Sequence, residues 1–435
     1  MTMPDIIGFL SDLIKIDTTN PPGNETPAAQ YVDNVLRSSG VPSRVYEAAP
    51  GRGSVVSRLK GDGSMKPLLL LSHLDVVGAQ PEQWTYPPFS GLVKDGVVWG
   101  RGALDCKNLT ALEMAVMLRL AAEGVELRRD VILAATADEE SGGRAGVGWL
   151  CANAPQEMDA EFCINEGGGE PVTFGNTRVY MCNVADKGGT RMRFIAQGKS
   201  SHGSIPKTET AIARLCEALL KITRTRLPVH KTATTERYVA GIVDAAGLPP
   251  STCDLIWHST LGERAIGNVV SDLEQRDKIH AMLRNTAAPT IVQAGYRINI
   301  IPERATADID GRVLPGHSPD VFVEEVRALV GNLVEIEVLS RGAGTESPPD
   351  SELFRQVAGV VAEVDPGARV VPMLATGGTD ARFLRARGVV VYGFVPSLPG
   401  EALGTAHGID ERCNTKSLEF GFDTLYRLVK RLAAR

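Results

Sequence analysis

Histidines and carboxylates follow apolar runs at several places in this 435-residue chain. Such oxygen and nitrogen ligands suit a divalent ion such as zinc, and there are enough of them for two ions. The candidates are His73, Asp105, the pair Glu139-Glu140, Glu166 and His407. Any one of these acids is also explained by the preference of carboxylates for helix starts. Their conjunction favours a metal site and predicts a metal-dependent hydrolase.

The adjacent acids Glu139 and Glu140 suggest a division of labour. Neighbouring side chains at a strand end diverge, so one is expected to bind metal while the other acts as general base. Two ions about 3.5–4 Å apart would activate a water and polarise a carbonyl group. Asp75 lies two residues after His73 and is placed to accept a hydrogen bond from its imidazole.

Buried strands and helices alternate in the two outer parts of the chain, which predicts an α/β domain with a mainly parallel sheet. The predicted strands are 53–59, 67–71, 131–135, 162–164 and 389–395, and the predicted helices are 5–16, 26–39, 108–122, 146–152 and 415–433. Open α/β sheets gather their ligands at the carboxyl ends of the strands. The candidate ligands are therefore expected to converge there.

The middle of the chain predicts a second domain of α+β type. Its elements are strands 190–197, 290–299, 306–314 and 334–339, a helix at 208–223, and a helix that opens at Ser318-Pro319. The order β-α-β-β-α-β is the ferredoxin-like plan. We expect this domain at 187–340, inserted into a catalytic domain formed by 1–186 and 341–435. Residues 225–289 do not fit the plan and have no predicted role.

Composition narrows the class of partner. The net charge of -6 argues against nucleic acid or an anionic membrane as the main partner, and no apolar run is long enough to span a bilayer. Seven cysteines without regular spacing do not form a disulfide framework. A cytoplasmic protein that acts on a small-molecule substrate is the expectation.

Eight stretches of the sequence resemble the M20 metallopeptidase family, in the order in which that family has them. They are SHLDVV (72–77), GRGALDCKN (100–108), ADEESGG (137–143), NEGG (165–168), GKSSHGSIP (198–206), NIIPERATADIDGRVLPG (299–316), GGTDAR (377–382) and AHGIDE (406–411). The resemblance spans nearly the whole chain and implies a homodimeric hydrolase that uses two zinc ions, with cobalt or manganese as alternatives.

The resemblance also implies residue roles. His73 and Glu166 would bind one ion, His407 and Glu140 the other, and Asp105 both. Glu139 would be the base and Asp75 the partner of His73. The inserted domain would be the family's lid and dimerisation domain, in which His202 would reach the active site of the partner subunit. The substrate carboxylate would be held by Asn299 and Arg312, helped by Gly377, Gly378 and Thr379.

Two departures from the common family pattern are present, and the second bears on the substrate. The family pattern commonly has Met-Lys-Gly-Gly after the bridging aspartate, whereas this chain has Cys106-Lys107-Asn108-Leu109. Glu166, rather than aspartate, is similar to deacylase-type members. The resemblance therefore implies hydrolysis of the amide bond of N-acyl-amino acids or small peptides with a free carboxylate. A dipeptidase or carboxypeptidase of the same family is the alternative, and a catalytically silent binding relative is a third reading.

Overall fold

The computed structural model of the protein describes residues 4–258 and 260–435. Its strands are β1 Ser43–Glu47, β2 Gly53–Leu59, β3 Leu68–His73, β4 Leu92–Lys94, β5 Val97–Trp99, β6 Val131–Thr136, β7 Phe162–Asn165, β8 Pro171–Phe174, β9 Thr177–Asp186, β10 Gly188–Gln197, β11 Ser201–His202, β12 Thr286–Ala294, β13 Ile300–Ile301, β14 Arg304–Val313, β15 Glu335–Val338, β16 Thr345–Glu346, β17 Arg369–Ala375, β18 Val390–Gly393 and β19 Arg412–Asn414. Its α-helices are α1 Ile6–Lys15, α2 Thr26–Ser38, α3 Lys107–Glu123, α4 Val147–Asn153, α5 Ala211–Arg224, α6 Ala233–Ala245, α7 Ser251–Trp257, α8 Gly262–Val269, α9 Leu273–Met282, α10 Pro319–Val330, α11 Glu352–Val364, α12 Ala381–Arg385 and α13 Thr415–Ala433. None of the described helices is long and apolar enough to cross a bilayer.

The chain divides into two compact units. Unit 1 comprises the chain up to Val184, Ser347–Met373 and Thr379–Arg435. Unit 2 comprises Ala185–Glu346 and the short segment Leu374–Gly378.

Unit 1 is built on a mixed sheet with the strand order β1-β2-β6-β3-β7-β18-β9. The four central strands, β6, β3, β7 and β18, are parallel to one another. Antiparallel strands flank them, with β2 beside β6 and β9 beside β18. The predicted mainly parallel α/β sheet is confirmed.

Strand β3 shows how the sheet is covered on both faces. Leu69 and Leu71 belong to a core cluster that includes residues of α4 and α12. The alternate residue Ser72 hydrogen-bonds to Thr110 and Glu113 of α3. Because successive side chains of a strand point to opposite faces, an all-apolar run such as 68–71 is the pattern of a strand buried on both sides.

Unit 2 contains a four-stranded antiparallel sheet with the order β12-β14-β10-β15. Helices α5 and α10 pack on it over a core that includes Met192, Phe194 and Phe322. Strands and helices follow one another as β-α-β-β-α-β, with the helices α6–α9 between the first helix and the second strand.

The sequence misplaced strand β12. It was predicted at 290–299, but it runs from Thr286 to Ala294. Pro289 lies inside this edge strand, which tolerates proline because one row of its backbone groups needs no partner. The strand ends before Gly295, whose φ of 69° turns the chain. The segment 225–289, which had no predicted role, forms the helices α6–α9.

Candidate metal centre

Asp105 lies between two histidines in unit 1. Its Oδ1 is 3.0 Å from Nε2 of His73, and its Oδ2 is 3.0 Å from Nε2 of His407. The peptide bond between Asp105 and Cys106 is cis. One carboxylate thus faces two imidazoles, which is the arrangement required of a ligand shared by two ions.

Two groups of potential ligands share Asp105. The first contains His73, Asp105 and Glu166, with Glu166 Oε2 at 3.3 Å from His73 Nε2. The second contains Asp105, Glu140 and His407, with Glu140 Oε1 at 3.1 Å from His407 Nε2. Within each group the potential ligand atoms lie within 4.8 Å of one another. Three nitrogen and oxygen ligands that leave one position open are the donor set of catalytic zinc, so these residues fit two divalent ions.

Cys106 also belongs to the first group. Its Sγ accepts a hydrogen bond from the backbone N–H of His73 at 3.2 Å. Burial raises the pKa of the Cys106 thiol well above its usual range. Because a metal ligand must be a thiolate, this favours the packing role of a small apolar side chain.

Parallel strands bring the ligands to one end of the sheet. His73 ends β3, Glu139 and Glu140 follow β6 in a short 3-10 helix, and Glu166 follows β7. His73 is in register with Thr136 of β6, the last residue of that strand. This convergence at the carboxyl ends is what a parallel α/β sheet predicts.

The turn after Glu166 requires glycine at position 168. The φ of Gly168 is 69°, and a Cβ atom there would lie 2.7 Å from the carbonyl oxygen of Met181 and 2.8 Å from that of Gly393. Any other residue would combine backbone strain with a collision. The glycine run therefore allows β7 and Glu166 to lie close to the neighbouring strands.

Asp75 contacts both His73 and the Glu139-Glu140 turn. His73 Nδ1 is 2.9 Å from the backbone carbonyl oxygen of Asp75 and 3.5 Å from its carboxylate. The carboxylate also accepts hydrogen bonds from the backbone N–H groups of Glu139 at 3.1 Å and Glu140 at 3.0 Å. Asn20 Nδ2 donates a further bond at 2.8 Å. The Asp75 side chain therefore fixes the Glu139-Glu140 turn, while its backbone orients His73.

Arg101 and Glu411 form a second support that the sequence reasoning missed. Their buried side chains form an ion pair at 2.6 Å, and Arg101 also donates to the carbonyl oxygen of Gly408 at 2.9 Å. Glu411 accepts the backbone N–H groups of Leu104 at 2.8 Å and Asp105 at 3.1 Å. The pair thereby connects the Asp105 loop to the His407 loop. Arg101 lies in the motif GRGALDCKN and Glu411 in the motif AHGIDE, so the family motifs could have drawn attention to both residues.

The partly buried Arg52 and the buried Glu25 lie behind the Glu139-Glu140 turn, and they too were missed. Arg52 pairs with Asp138 at 2.7 Å and with Glu25 at 3.0 Å. Asp138 has a positive φ of 76°, uncommon for a residue with a side chain. These pairs hold Asp138 in that conformation directly before the two acids.

The raised pKa values of Glu139, Glu166 and His73 show that a bound cation would stabilise this site. Burial, and then the nearby Glu166 carboxylate, raise the pKa of Glu139 well above its ordinary value. Burial also raises the pKa of Glu166. For His73, burial acts to lower the pKa, but Cys106, Glu166 and Asp105 outweigh it and raise the pKa strongly. Buried carboxylates this close repel one another, and a divalent ion would reverse the effect.

The remaining predicted residues lie mostly in unit 2. His202 is exposed on β11, 2.7 Å from Ser204 Oγ, and its neighbour Gly203 donates to the carbonyl oxygen of Asn299 at 2.8 Å. Arg312, on β14, pairs with Asp310 at 3.0 Å. Gly377 and Gly378 belong to unit 2, whereas Thr379 belongs to unit 1 and lies 3.3 Å from Asn165 Nδ2. The roles of these residues stay predictions.

Residues 69–431 match the model of peptidase family M20/M25/M40. The chain belongs to this family. The predicted metal-dependent hydrolase is thereby confirmed, although the roles of its individual site residues stay predictions.

Two relatives illustrate the range of this M20 family. The N-fatty-acyl-amino acid synthase/hydrolase PM20D1 of Homo sapiens is 30% identical over 383 residues, which cover 85% of this chain and 74% of the human protein. Aminoacylase-1 of Sus scrofa is 25% identical over 431 residues, which cover 97% of this chain and 93% of the pig protein.

Solved structures share the fold of this M20 protein. An M20 family metallo-carboxypeptidase from Sulfolobus solfataricus has a TM-score of 0.70 at 19% identity, covering 98% of this chain and 99% of that chain. A dinuclear metal-binding M20 peptidase from Bacillus subtilis has a TM-score of 0.61 at 14% identity, covering 98% of this chain and 97% of that chain.

Proposed function

We propose that this M20 protein hydrolyses the amide bond of N-acyl-amino acids that carry a free carboxylate. The observation that carries the proposal is the position of Asp105, whose two oxygens each lie 3.0 Å from a different histidine. Glu139, whose pKa is raised by desolvation and by the nearby Glu166, lies in the same cluster and is the proposed base. The shared ligand Asp105 and the non-ligand acid Glu139 would together form a site that activates water.

Two divalent ions are the proposed cofactors, with zinc first and cobalt or manganese as alternatives. His73, Asp105 and Glu166 would hold one ion, and His407, Asp105 and Glu140 the other. When bound, such ions lower the pKa of water and polarise a carbonyl oxygen.

Glu139 performs the proton transfers in this proposal. Its carboxylate takes a proton from the attacking water as the water oxygen bonds to the carbonyl carbon. It then gives that proton to the amide nitrogen as the C–N bond breaks, which releases the free amine and the acid. The backbone N–H of Glu139 bonds to Asp75, which fixes the residue for this transfer.

The proposed role of residues 187–340 is that of a lid and dimerisation domain. Edge strand β12 exposes Ile291 and Val292, and Tyr296 and Ile298 are exposed just beyond it. Exposed apolar residues on an unpaired strand edge favour pairing with a second copy of the chain. In this homodimer, His202 of the partner subunit would polarise the scissile carbonyl.

Arg312 and Asn299 are the proposed carboxylate anchors, with Gly377, Gly378 and Thr379 as backbone support. Arg312 offers a planar guanidinium suited to a carboxylate, and its present partner is Asp310. Asn299 is exposed beside the His202 strand.

A dipeptidase or carboxypeptidase is the second candidate, since such enzymes share this fold. The names of PM20D1 and aminoacylase-1 favour the acyl-amino acid reading. Glu166, similar to deacylase-type members, supports the same reading.

A substrate panel separates the candidates. N-acetyl-, N-octanoyl- and N-succinyl-amino acids are compared with dipeptides after loading with zinc, cobalt or manganese. Amine release from acyl-amino acids at least ten times faster than from dipeptides supports the proposal. Faster cleavage of dipeptides would replace it with the second candidate, and metal-loaded protein without any turnover would indicate a silent relative.

A cytoplasmic setting is also proposed. None of the seven cysteines, all within the described part of the chain, is in a disulfide. Free thiols are the usual state in a reducing compartment.

A further inference from the structure

A cavity of about 230 Å³ lies in unit 1 beside the candidate metal centre. Its lining includes the sequence neighbours of three candidate ligands, namely Leu104, Gly167 and Ala406. A substrate group bound in this cavity would therefore lie close to the scissile amide bond at the metal centre.

The cavity wall is largely apolar. Leu112 of α3, Cys413 of β19 and Leu418 of α13 line it, each with 2% of its surface exposed. Val395 and Pro396 complete this part of the wall. Because helices and a strand supply these side chains, the cavity is formed in advance and its apolar walls favour an apolar ligand.

The charged residues of the wall have one sign. Glu170 and Glu401 line the cavity, and no lysine, arginine or histidine is among its described lining residues. The Glu401 carboxylate accepts a hydrogen bond from the backbone N–H of Asn414 at 3.1 Å, which holds the carboxylate at the cavity wall. An acyl group with a carboxylate of its own would meet like charge there and no cation.

We infer that this cavity binds the acyl chain of the substrate and selects neutral aliphatic chains over short or dicarboxylic ones. The inference rests on the proposed function, which makes the substrate an N-acyl-amino acid whose amide bond lies at the metal centre of unit 1. A cavity of about 150 Å³ binds a benzene-sized molecule, so 230 Å³ suits a chain of roughly nine carbons.

Asn108 and Ser397 set the size of the cavity. Asn108 stands where the family pattern commonly has glycine, and its side chain takes space in the cavity wall. Ser397 is buried, and its hydroxyl has no hydrogen-bond partner among the described residues. Replacing Ser397 by leucine therefore fills space without breaking a hydrogen bond seen in the structure.

A chain-length series tests the inference. Zinc-loaded enzyme is assayed with N-acetyl-, N-butanoyl-, N-octanoyl-, N-dodecanoyl- and N-succinyl-methionine. Each buried methylene should raise kcat/KM about fourfold until the cavity is full. The kcat/KM for N-octanoyl-methionine should therefore exceed that for N-acetyl- and N-succinyl-methionine by at least a hundredfold.

Ser397→Leu should lower the octanoyl-to-acetyl ratio at least tenfold, and Asn108→Gly should move the optimum to longer chains. Ser38→Leu, the same exchange at an exposed position, should leave the ratio unchanged.

A binding measurement keeps this test independent of turnover. Calorimetric titration of the Glu139→Gln variant with N-octanoyl- and N-acetyl-methionine should show the same preference, with a more negative heat-capacity change for the longer chain. Equal affinities and a chain-length profile that neither variant moves would overturn the inference even if all substrates are hydrolysed. Tighter octanoyl binding without hydrolysis of any acyl-amino acid would instead overturn the proposed function and leave the cavity assignment standing.

Discussion

The carboxylate of Asp75 accepts the backbone N–H of Glu140 across 3.0 Å. Its other oxygen accepts the N–H of Glu139 at 3.1 Å. A single buried acid thus fixes both the proposed base and a proposed ligand, while the backbone carbonyl of Asp75 orients His73. In the proposed mechanism, one side chain therefore couples proton transfer to metal binding.

Replacing Asp75 should weaken metal binding without removing a ligand. Asp75→Asn keeps one carbonyl oxygen but offers an amide where an N–H must be accepted. Loss of such supporting hydrogen bonds lowers metal affinity by about 10–100-fold. Competition against a chelator measures the change. Asp12→Asn, at an exposed acid that pairs with Lys15, is the control; equal affinities in the two variants would contradict the role of Asp75.

Breaking the Arg101–Glu411 pair should destabilise the fold more than removing both charges. Arg101→Met leaves Glu411 buried without its ion partner, and such a loss costs about 3–5 kcal/mol. The Arg101→Met/Glu411→Gln double variant should recover more than half of this, because the amide oxygen can still accept the N–H groups of Leu104 and Asp105. Urea unfolding of the metal-free protein gives the free energies. Strictly additive single effects would contradict the coupling.

Glu113 should make stability depend on pH. Burial raises its pKa well above the ordinary value of 4.5, despite the hydrogen bond with Ser72. The folded state therefore binds more protons than the unfolded state above pH 4.5, and stability falls as pH rises toward the folded-state pKa. Glu113→Gln removes this dependence. Its stability relative to the natural protein should increase by up to about 1.4 kcal/mol per pH unit.

Urea unfolding of the natural protein and the Glu113→Gln variant at about pH 5, 6 and 7, which lie above the ordinary carboxyl pKa, checks that prediction. A stability difference that stays constant across the series would mean that Glu113 ionises equally in the folded and unfolded states.

Charge on the β12 edge should prevent dimerisation. Val292 is 58% exposed on β12, and Val292→Glu places a charge on the proposed interface. Sedimentation velocity should show a dimer for the natural protein and a monomer for this variant. Val93→Glu, the same exchange at a 46% exposed residue of β4, should stay dimeric. A monomeric natural protein would remove the basis for His202 acting in the partner's site.

Sequence patterns predicted the sheet of unit 1 well because its strands are extreme in composition. An apolar run such as 68–71 has no stable place other than a strand covered on both faces. The parallel arrangement then follows from the alternation with helices, and it brings His73, Glu140 and Glu166 to one end. Asp105 and His407 lie in loops; the sheet pattern predicted that they converge with the other ligands, and the family motifs assigned Asp105 to both ions.

The sequence could not show which polar residues pair when they lie far apart in the chain. Arg101 and Glu411 are 310 positions apart, and neither has a local pattern that names the other. The sequence placed Asp75 near His73 by proximity alone. It gave no sign that the turn after Asp138, which has a positive φ, directs two backbone N–H groups to the Asp75 carboxylate. The helices of 225–289 did carry capping signals at Thr232 and Asp272, but their apolar faces are short.

The most direct test of the account is the Glu139→Gln variant, assayed for metal content and turnover in the same preparation. The side chain of Glu139 is the proposed proton carrier and not a ligand. The variant and the natural protein should therefore both bind two ions per chain, while hydrolysis of acyl-amino acids by the variant falls by about 10²–10⁴-fold. Undiminished turnover with both ions bound would contradict the central claim.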